Sequence, residues 1–292
     1  MNNDKISVII PTNNPNNLNS IIKNLSSKKI DYEIIFIGPL KVNKRKVKKK
    51  VKFIESYLKP THCLQLGLFY STGNYLIQMA DDCLLKGHND PLYYLYKKAK
   101  SNPKKLISCK YSVNGVPSKN YEYNYLPWDD STNLPIAPLM KKKDIIRVGG
   151  YDKTFIAVLS DIDLYLRLRQ SCKLDFYYSK IFIDENKKHN KSNNLLPTYW
   201  NHDRNNLDKF WVRNKKKPYL SKKRTKIIQK FDNSPKLINK PQGNLGKWLY
   251  NNRYYFKFID NKFSKILFFI IGITNNTRRY YINSILKKFK MI

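Results

Sequence analysis

The chain has 292 residues, with 56 Lys+Arg against 21 Asp+Glu and a formal charge of +35. Hydrophobic residues make up 41% and aromatics 14%, enough apolar surface to fold, so global disorder is excluded. Ten Gly and four Cys exclude collagen-like, glycine-rich and disulfide-scaffold classes.

A basic balance raises affinity for any polyanion. Only ten of the basic residues are Arg, however, the residue that nucleic-acid readers favour for bidentate contacts. Compositional drift toward Lys is the first reading, an anionic partner surface the second, and no nucleic-acid partner is expected. Cys63, Cys83, Cys109 and Cys172 form no CxxC pair and read as reduced thiols of a cytosolic protein. The N-terminus lacks a signal-peptide layout. The longest apolar run, Ile266–Ile273, falls far short of the ~20 residues that span a bilayer. A cytoplasmic protein, soluble or peripheral at the inner face of the membrane, is expected.

In chain order, Ile6–Ile10 predicts a strand buried on both faces and closed by Pro11. Leu18, Ile21, Ile22 and Leu25 fall at helical spacing. Glu33–Ile37 predicts a second strand, closed by Gly38-Pro39. Lys41–Lys50 is a basic, solvated stretch, and Val51–Ile54 a third strand. Thr61–Ser71 predicts a helix, and Tyr75–Ala80 a strand running into Asp81-Asp82. Asp90-Pro91 is an N-cap followed by proline at the first helical position. This alternation predicts a mostly parallel α/β sheet. Farther on, Leu106–Tyr111, Pro135–Met140 and Phe176–Ile183 predict strands. Asp144–Val148 and Asp161–Gln170 predict helices, and Leu207, Phe210 and Trp211 one more short helix. Val113–Asp130 is loop-rich. From about Lys215 the chain turns basic and aromatic, with helical stretches near Lys247–Phe258 and Asn283–Lys290.

Two features carry chemistry. Asp81-Asp82 ends a buried strand, where open α/β sheets bind ligands. Adjacent carboxylates repel unless a cation offsets their charge, and hard oxygen ligands suit Mg²⁺ or Mn²⁺; solvated turn acids are the alternative. The second feature is Gly149-Gly150-Tyr151-Asp152 followed by Asp161-Ile162-Asp163. Two residues apart on a helix, Asp161 and Asp163 face different ways, so only one can serve a given pocket. Asp161, at the helix mouth, is the better candidate for a base, and helix capping is its alternative role.

Taken in order, ISVIIPTN, EIIFIGP, CLQLGLFYSTGNYLIQMADDC, APLMKKKDIIRVGGYDKTF and SDIDLYLRLR resemble the family 2 glycosyltransferases of the GT-A fold, over roughly residues 5–213. The resemblance implies an α/β, GT-A (Rossmann-like), mostly parallel sheet flanked by helices over residues 1–215. A basic, aromatic, mainly helical C-terminal extension would occupy residues 216–292. The implied activity is inverting, metal-dependent, non-processive transfer of one sugar from a nucleotide-sugar donor to a hydroxyl of a glycan or lipid-linked acceptor, as in polysaccharide or cell-envelope glycan synthesis. Pro11 and Thr12 would line the nucleotide pocket. Asp81 would reach the ribose or donor sugar, and Asp82 would bind Mn²⁺ or Mg²⁺. Gly149 and Gly150 would flank the acceptor site, and Asp161 would be the general base. His189 resembles a family histidine near the diphosphate, which could also ligate the metal; a surface histidine is the alternative.

The chain departs from the family pattern at several points. Gly38-Pro39 replaces an acidic pair that helps to read the base, Leu64-Gln65 replaces Arg-Asn, and Ser160 replaces Glu before the catalytic Asp. No QxxRW occurs in residues 204–213, as processive members would carry. A catalytically decayed domain that binds a glycan or a partner is the alternative function. For the basic C-terminal segment, a solvated helical cap stands beside a peripheral contact with anionic membrane through Phe268, Phe269 and Ile270.

Overall fold

A computed structural model describes residues 4–13, 15–39, 50–56, 58–118, 134–152, 154–186, 196–212 and 219–220. Four strands, β1 (Lys5–Pro11), β2 (Asp31–Gly38), β3 (Val51–Glu55) and β4 (Tyr75–Gln78), lie parallel in the order β3-β2-β1-β4. Their residues alternate between two cores. Ile6, Val8 and Ile10 face one core with Leu18 and Ile21 of α1 (Leu18–Asn24). Ile9, Ile35 and Ile37 face the other, with Leu66 and Leu68 of α2 (Pro60–Tyr70). Burial on both faces explains why these strands read as continuous apolar runs.

The second half is mixed in direction. β5 (Cys83–Lys86), β6 (Lys105–Val113), β8 (Ile136–Lys141) and β9 (Asp175–Glu185) extend the sheet from β4 in the order β8-β6-β9-β5, and β7 (Val116–Pro117) hairpins onto β6. β6 and β9 run parallel, and the remaining pairs antiparallel. α3 (Pro91–Ser101) covers the first core with Leu92, Leu95 and Ala99. The Asp90 carboxylate caps it, accepting from Tyr93 N–H at 3.1 Å. α4 (Lys142–Arg147) and α5 (Ser160–Cys172) cover the second core. The result is the mixed α/β sheet flanked by helices that a GT-A, Rossmann-like architecture requires.

Several expected bounds shift. The strand from Tyr75 stops at Gln78, so Asp81-Asp82 form a turn leading into β5. The expected short helix near Leu207 is α6 (Leu196–Phe210), 15 residues long. Beyond it, β10 (Trp211–Val212) pairs antiparallel with β11 (Tyr219–Leu220). Most of the basic stretch Lys41–Lys50 (residues 41–49), residues 119–133 of the loop-rich segment, His189, and residues 221–292 with their expected helices and the Phe268–Ile270 segment lie outside the described residues. Among the described residues no helix is long and apolar enough to cross a membrane.

At the amino end of the parallel strands, Glu33 ties three segments together. Its carboxylate accepts from Ser7 Oγ at 2.7 Å and from Thr72 Oγ1 at 2.8 Å, and Lys52 Nζ lies 2.6 Å away. Burial works against the charge, but the Lys52 and Thr72 bonds win and hold the carboxyl down at about 2.

Candidate functional site

The chain leaves β1 for β2 on one side and returns as β4 on the other. β1 and β4 therefore flank the point where strand order reverses, and open α/β sheets bind ligands in the crevice beyond it. Pro11, half-buried, ends β1. Thr12 N–H then donates to Ile37 O at 2.9 Å, holding the end of β1 against β2. Thr12 Oγ1 donates to Asp81 Oδ2 at 2.7 Å, and Asn13 N–H reaches the same oxygen at 3.3 Å. Asn17 Nδ2 donates to Asp81 O at 3.1 Å. Asp81 is thus fixed by the segment after β1, across the reversal point. Asp82 is held differently: its carbonyl accepts from Asn186 N–H at 2.9 Å, and Cys83 Sγ lies 3.4 Å from its Oδ1. Both carboxylates are half-buried.

Gly38 has a steric reason to stand where the family pattern has an acidic residue. A Cβ on it would lie 1.6 Å from Thr12 O, so no side chain fits while the β1 and β2 ends stay paired.

The glycine turn of the second feature packs against α2. Gly149 and Gly150 adopt φ of 89° and 73°, the left-handed region that glycine tolerates. Gln65 of α2 fills the space over Gly150, where a Cβ would lie 2.4 Å from Gln65 Oε1, and that oxygen accepts from Tyr151 N–H at 2.7 Å. Gln65 therefore locks the glycine turn. Leu64, in the place of the family's Arg, is a buried core residue.

Asp161 lies in the first turn of α5, half-buried, with Oδ1 accepting from Ile162 N–H at 2.9 Å. Burial pushes its carboxyl above the usual aspartate range, against the lowering effect of backbone N–H groups. One turn on, Tyr165 OH accepts from Gln78 Nε2 at 3.0 Å. That bond ties the Asp161 helix to the end of β4, three residues before Asp81. Burial raises the Tyr151 and Tyr165 phenols, with the Asp161 charge adding to it.

No protein-family model matches the sequence, and no curated protein matches it. Among solved structures, the chain is similar to the crystal structure of S. aureus TarS 1-349, at 15% identity and a TM-score of 0.45, covering 61% of this chain and 60% of that one. The same fragment in complex with UDP gives 14% and 0.45, over 63% and 61%. The structure of S. aureus TarS gives 12% and 0.44, over 62% and 35%. The chain thus spans about three fifths of the TarS 1-349 structures and about a third of the longer one.

Asp163 is fully buried, its carboxylate taken up by side chains inside the fold. It pairs with the buried Arg167, whose Nε and Nη2 both lie 2.9 Å from Asp163 Oδ2. Arg167 also donates to Val148 O and Gly150 O, and Trp211 Nε1 donates to Asp163 Oδ1 at 3.0 Å. In the sequence Asp163 is set only against Asp161, and the i,i+4 spacing to Arg167 is the one signal that points to the pair. Its buried role under the glycine turn was not visible. Burial pushes the Cys63 and Cys109 thiols up to about 12, which suits inert core cysteines. Among the described residues no group of three His, Cys, Asp or Glu side chains is arranged to hold a metal. Mg²⁺ is ordinarily bound by one or two carboxylates plus substrate phosphates and water, so the Asp81-Asp82 pair fits such an ion without a full protein cage.

Proposed function

We propose that the protein is an inverting glycosyltransferase that moves one sugar from a nucleotide-sugar donor to a hydroxyl of a glycan or lipid-linked acceptor. The observation that carries this reading is the Asp81-Asp82 turn in the crevice at the reversal point, with Asp161 linked to the same strand end through Tyr165 and Gln78. Thr12 and Pro11 line the nucleotide side, Asp81 faces the ribose or sugar, and Gly149-Gly150 border the acceptor. Asp82 is assigned as the ligand of Mn²⁺ or Mg²⁺. Such an ion, when bound, offsets the negative charge growing on the nucleoside diphosphate leaving group.

Asp161 acts as the general base. The acceptor hydroxyl attacks the anomeric carbon on the face opposite the nucleotide, its proton passes to the Asp161 carboxylate, and the sugar–phosphate bond breaks. Burial that raises the Asp161 pKa makes its carboxylate a stronger base toward that proton. No covalent nucleophile is needed. A basic segment over residues 216–292 suits contact with an anionic membrane where a lipid-linked acceptor lies.

The test is a thermal-shift and nucleotide-release screen of UDP-, GDP-, dTDP- and CMP-sugars, with and without Mn²⁺. Wild type is compared with Asp82→Ala and Asp161→Asn. A metal-dependent shift with one base, lost in Asp82→Ala, and release lost in both variants is the expected result. A folded protein that neither shifts nor turns over any donor overturns the reading in favour of a binding domain.

A further inference from the structure

Asp203 lies on α6, distant in sequence from every residue assigned above, and is fully buried. Its carboxylate takes three successive backbone N–H groups: Oδ1 accepts from Ile156, and Oδ2 from Ala157 and Val158, each at 2.9 Å. These residues lead directly into α5. The next, Leu159, sits at φ 62°, ψ −3°, a left-handed conformation that a non-glycine residue keeps only where surrounding contacts enforce it. Two residues later comes Asp161.

The same segment is gripped from other sides. Thr61 of α2 donates its N–H to Ile156 O at 3.3 Å and its Oγ1 to Ser160 Oγ at 3.0 Å. Asn206, one turn beyond Asp203 on α6, donates from Nδ2 to Thr154 O at 3.0 Å. Phe155 and Leu159 bury their side chains against Leu207, Phe210 and Trp211. A loop that only closed a surface would not need a buried charge beneath it. A carboxylate satisfied by three backbone N–H groups fixes the orientation of three consecutive peptides, and so the direction in which α5 starts.

We infer that Asp203 is a positioning residue for Asp161, setting the 156–159 segment so that the Asp161 carboxylate is presented to the crevice at the end of β4. The inference rests on the glycosyltransferase reading only for what Asp161 then does. The Asp161 charge acts on the Tyr151 and Tyr165 phenols, and Tyr165 rides on α5, the helix whose start this segment sets.

The experiment compares full-length wild type, Asp203→Asn and Thr61→Val. Asp203→Asn keeps size and shape but sets an amide donor against the backbone donors that Oδ2 accepts. Backbone amide exchange of residues 156–158, the Asp161 titration midpoint by carbon NMR, nucleotide binding, and kcat with its pH profile are measured. The expected result for Asp203→Asn is faster exchange at 156–158 and an Asp161 midpoint that falls toward the ordinary aspartate value as water enters. Nucleotide affinity stays within twofold, while kcat drops at least tenfold. Faster exchange with an unchanged Asp161 midpoint and unchanged kcat overturns the inference, because Asp203 would then serve stability alone; unchanged exchange overturns it also. Should Asp203→Asn not fold, Thr61→Val loosens the same segment from the α2 side, and an unmoved Asp161 midpoint there overturns it. If wild type turns over no donor, the glycosyltransferase reading fails, while the Asp161 midpoint still decides whether Asp203 positions it.

Discussion

Thr12 Oγ1 and Asp81 Oδ2 meet at 2.7 Å across the point where the strand order of the sheet reverses. Sixty-nine residues separate them in sequence. The bond joins the end of β1 to the turn after β4, the two strand ends that frame the crevice. Thr12→Val removes the hydroxyl with little change in shape and, among the described residues, leaves the Asp81 carboxylate with the longer bond from Asn13. A hydrogen bond to a charged group contributes about 1.5–3 kcal/mol. The expected outcome is a loss of nucleotide affinity of roughly tenfold, or about 1.4 kcal/mol, measured by titration calorimetry with the nucleotide that the donor screen selects. Unchanged affinity would remove Asp81 from the nucleotide site.

Gly38→Ala tests the closeness of β1 and β2. A Cβ there meets Thr12 O at 1.6 Å, and backbone on both sides has no easy relief. The strand ends must separate, which breaks the Thr12 N–H to Ile37 O bond and displaces Thr12 Oγ1 from Asp81. Destabilisation of about 3 kcal/mol or more is expected, in the range of overpacking a filled interior, read as a lower urea midpoint. Nucleotide binding should weaken more than for Thr12→Val.

The parallel half of the fold was legible because its strands are buried on both faces and its helices carry plain signals, such as Asp90-Pro91. The second half was less so. β4 and β5 are separated by a turn that interrupts an apolar run, and the run's composition does not mark where pairing stops. Asp81, Asp82 and Asp161 were legible as carboxylates at element ends. Gln65, Gln78, Arg167 and Asp203 were not: each bonds to groups that the fold brings against it, and a polar residue reads as solvated until the fold buries it. Leu64-Gln65 read in the sequence only as a departure from Arg-Asn, yet Gln65 holds the Gly150–Tyr151 turn by a 2.7 Å bond.

The buried pair of Asp163 and Arg167 gives a third prediction. Arg167→Met leaves the Asp163 carboxylate buried with Trp211 Nε1 as one remaining donor, and frees Val148 O and Gly150 O. Breaking a buried ion pair by removing one partner costs about 3–5 kcal/mol. Replacing both, as in Asp163→Leu with Arg167→Met, should recover part of the loss. Chemical denaturation of the two single variants and the double variant measures the coupling. Strict additivity would show that the pair does not act as a unit.

Glu33 governs the acid limb of stability. Its folded carboxyl is held at about 2, against an ordinary value of 4.5. A depressed carboxyl pKa contributes stability that is fully present above the ordinary value and is lost as pH falls from about 4.5 toward about 2. The shift corresponds to about 3 kcal/mol. Glu33→Gln should therefore lower stability at pH 7 and flatten the loss between those pH values. Urea melts at a series of pH values read both effects, and a variant that keeps the full acid limb would assign that limb to other carboxylates.

Asp161 has the opposite sign. Burial raises its folded pKa, so the native state holds the proton more tightly than the unfolded chain. Stability then falls as pH rises from the ordinary aspartate value through the raised one, and the deficit persists at neutral pH. Asp161→Asn removes the charge, and its amide oxygen can still accept from Ile162 N–H. This variant should melt at a higher temperature than wild type at pH 7, with the gain vanishing below the ordinary aspartate pKa. The same change should lower turnover by roughly 10²–10⁴-fold, the usual scale of general-base loss, while nucleotide binding at Asp81-Asp82 persists. A gain in stability joined to a loss of rate is what a general base in a half-buried site predicts, whereas a helix-capping carboxylate predicts lower stability in the Asn variant. Parallel thermal melts and nucleotide-release assays across pH therefore separate the two roles of Asp161.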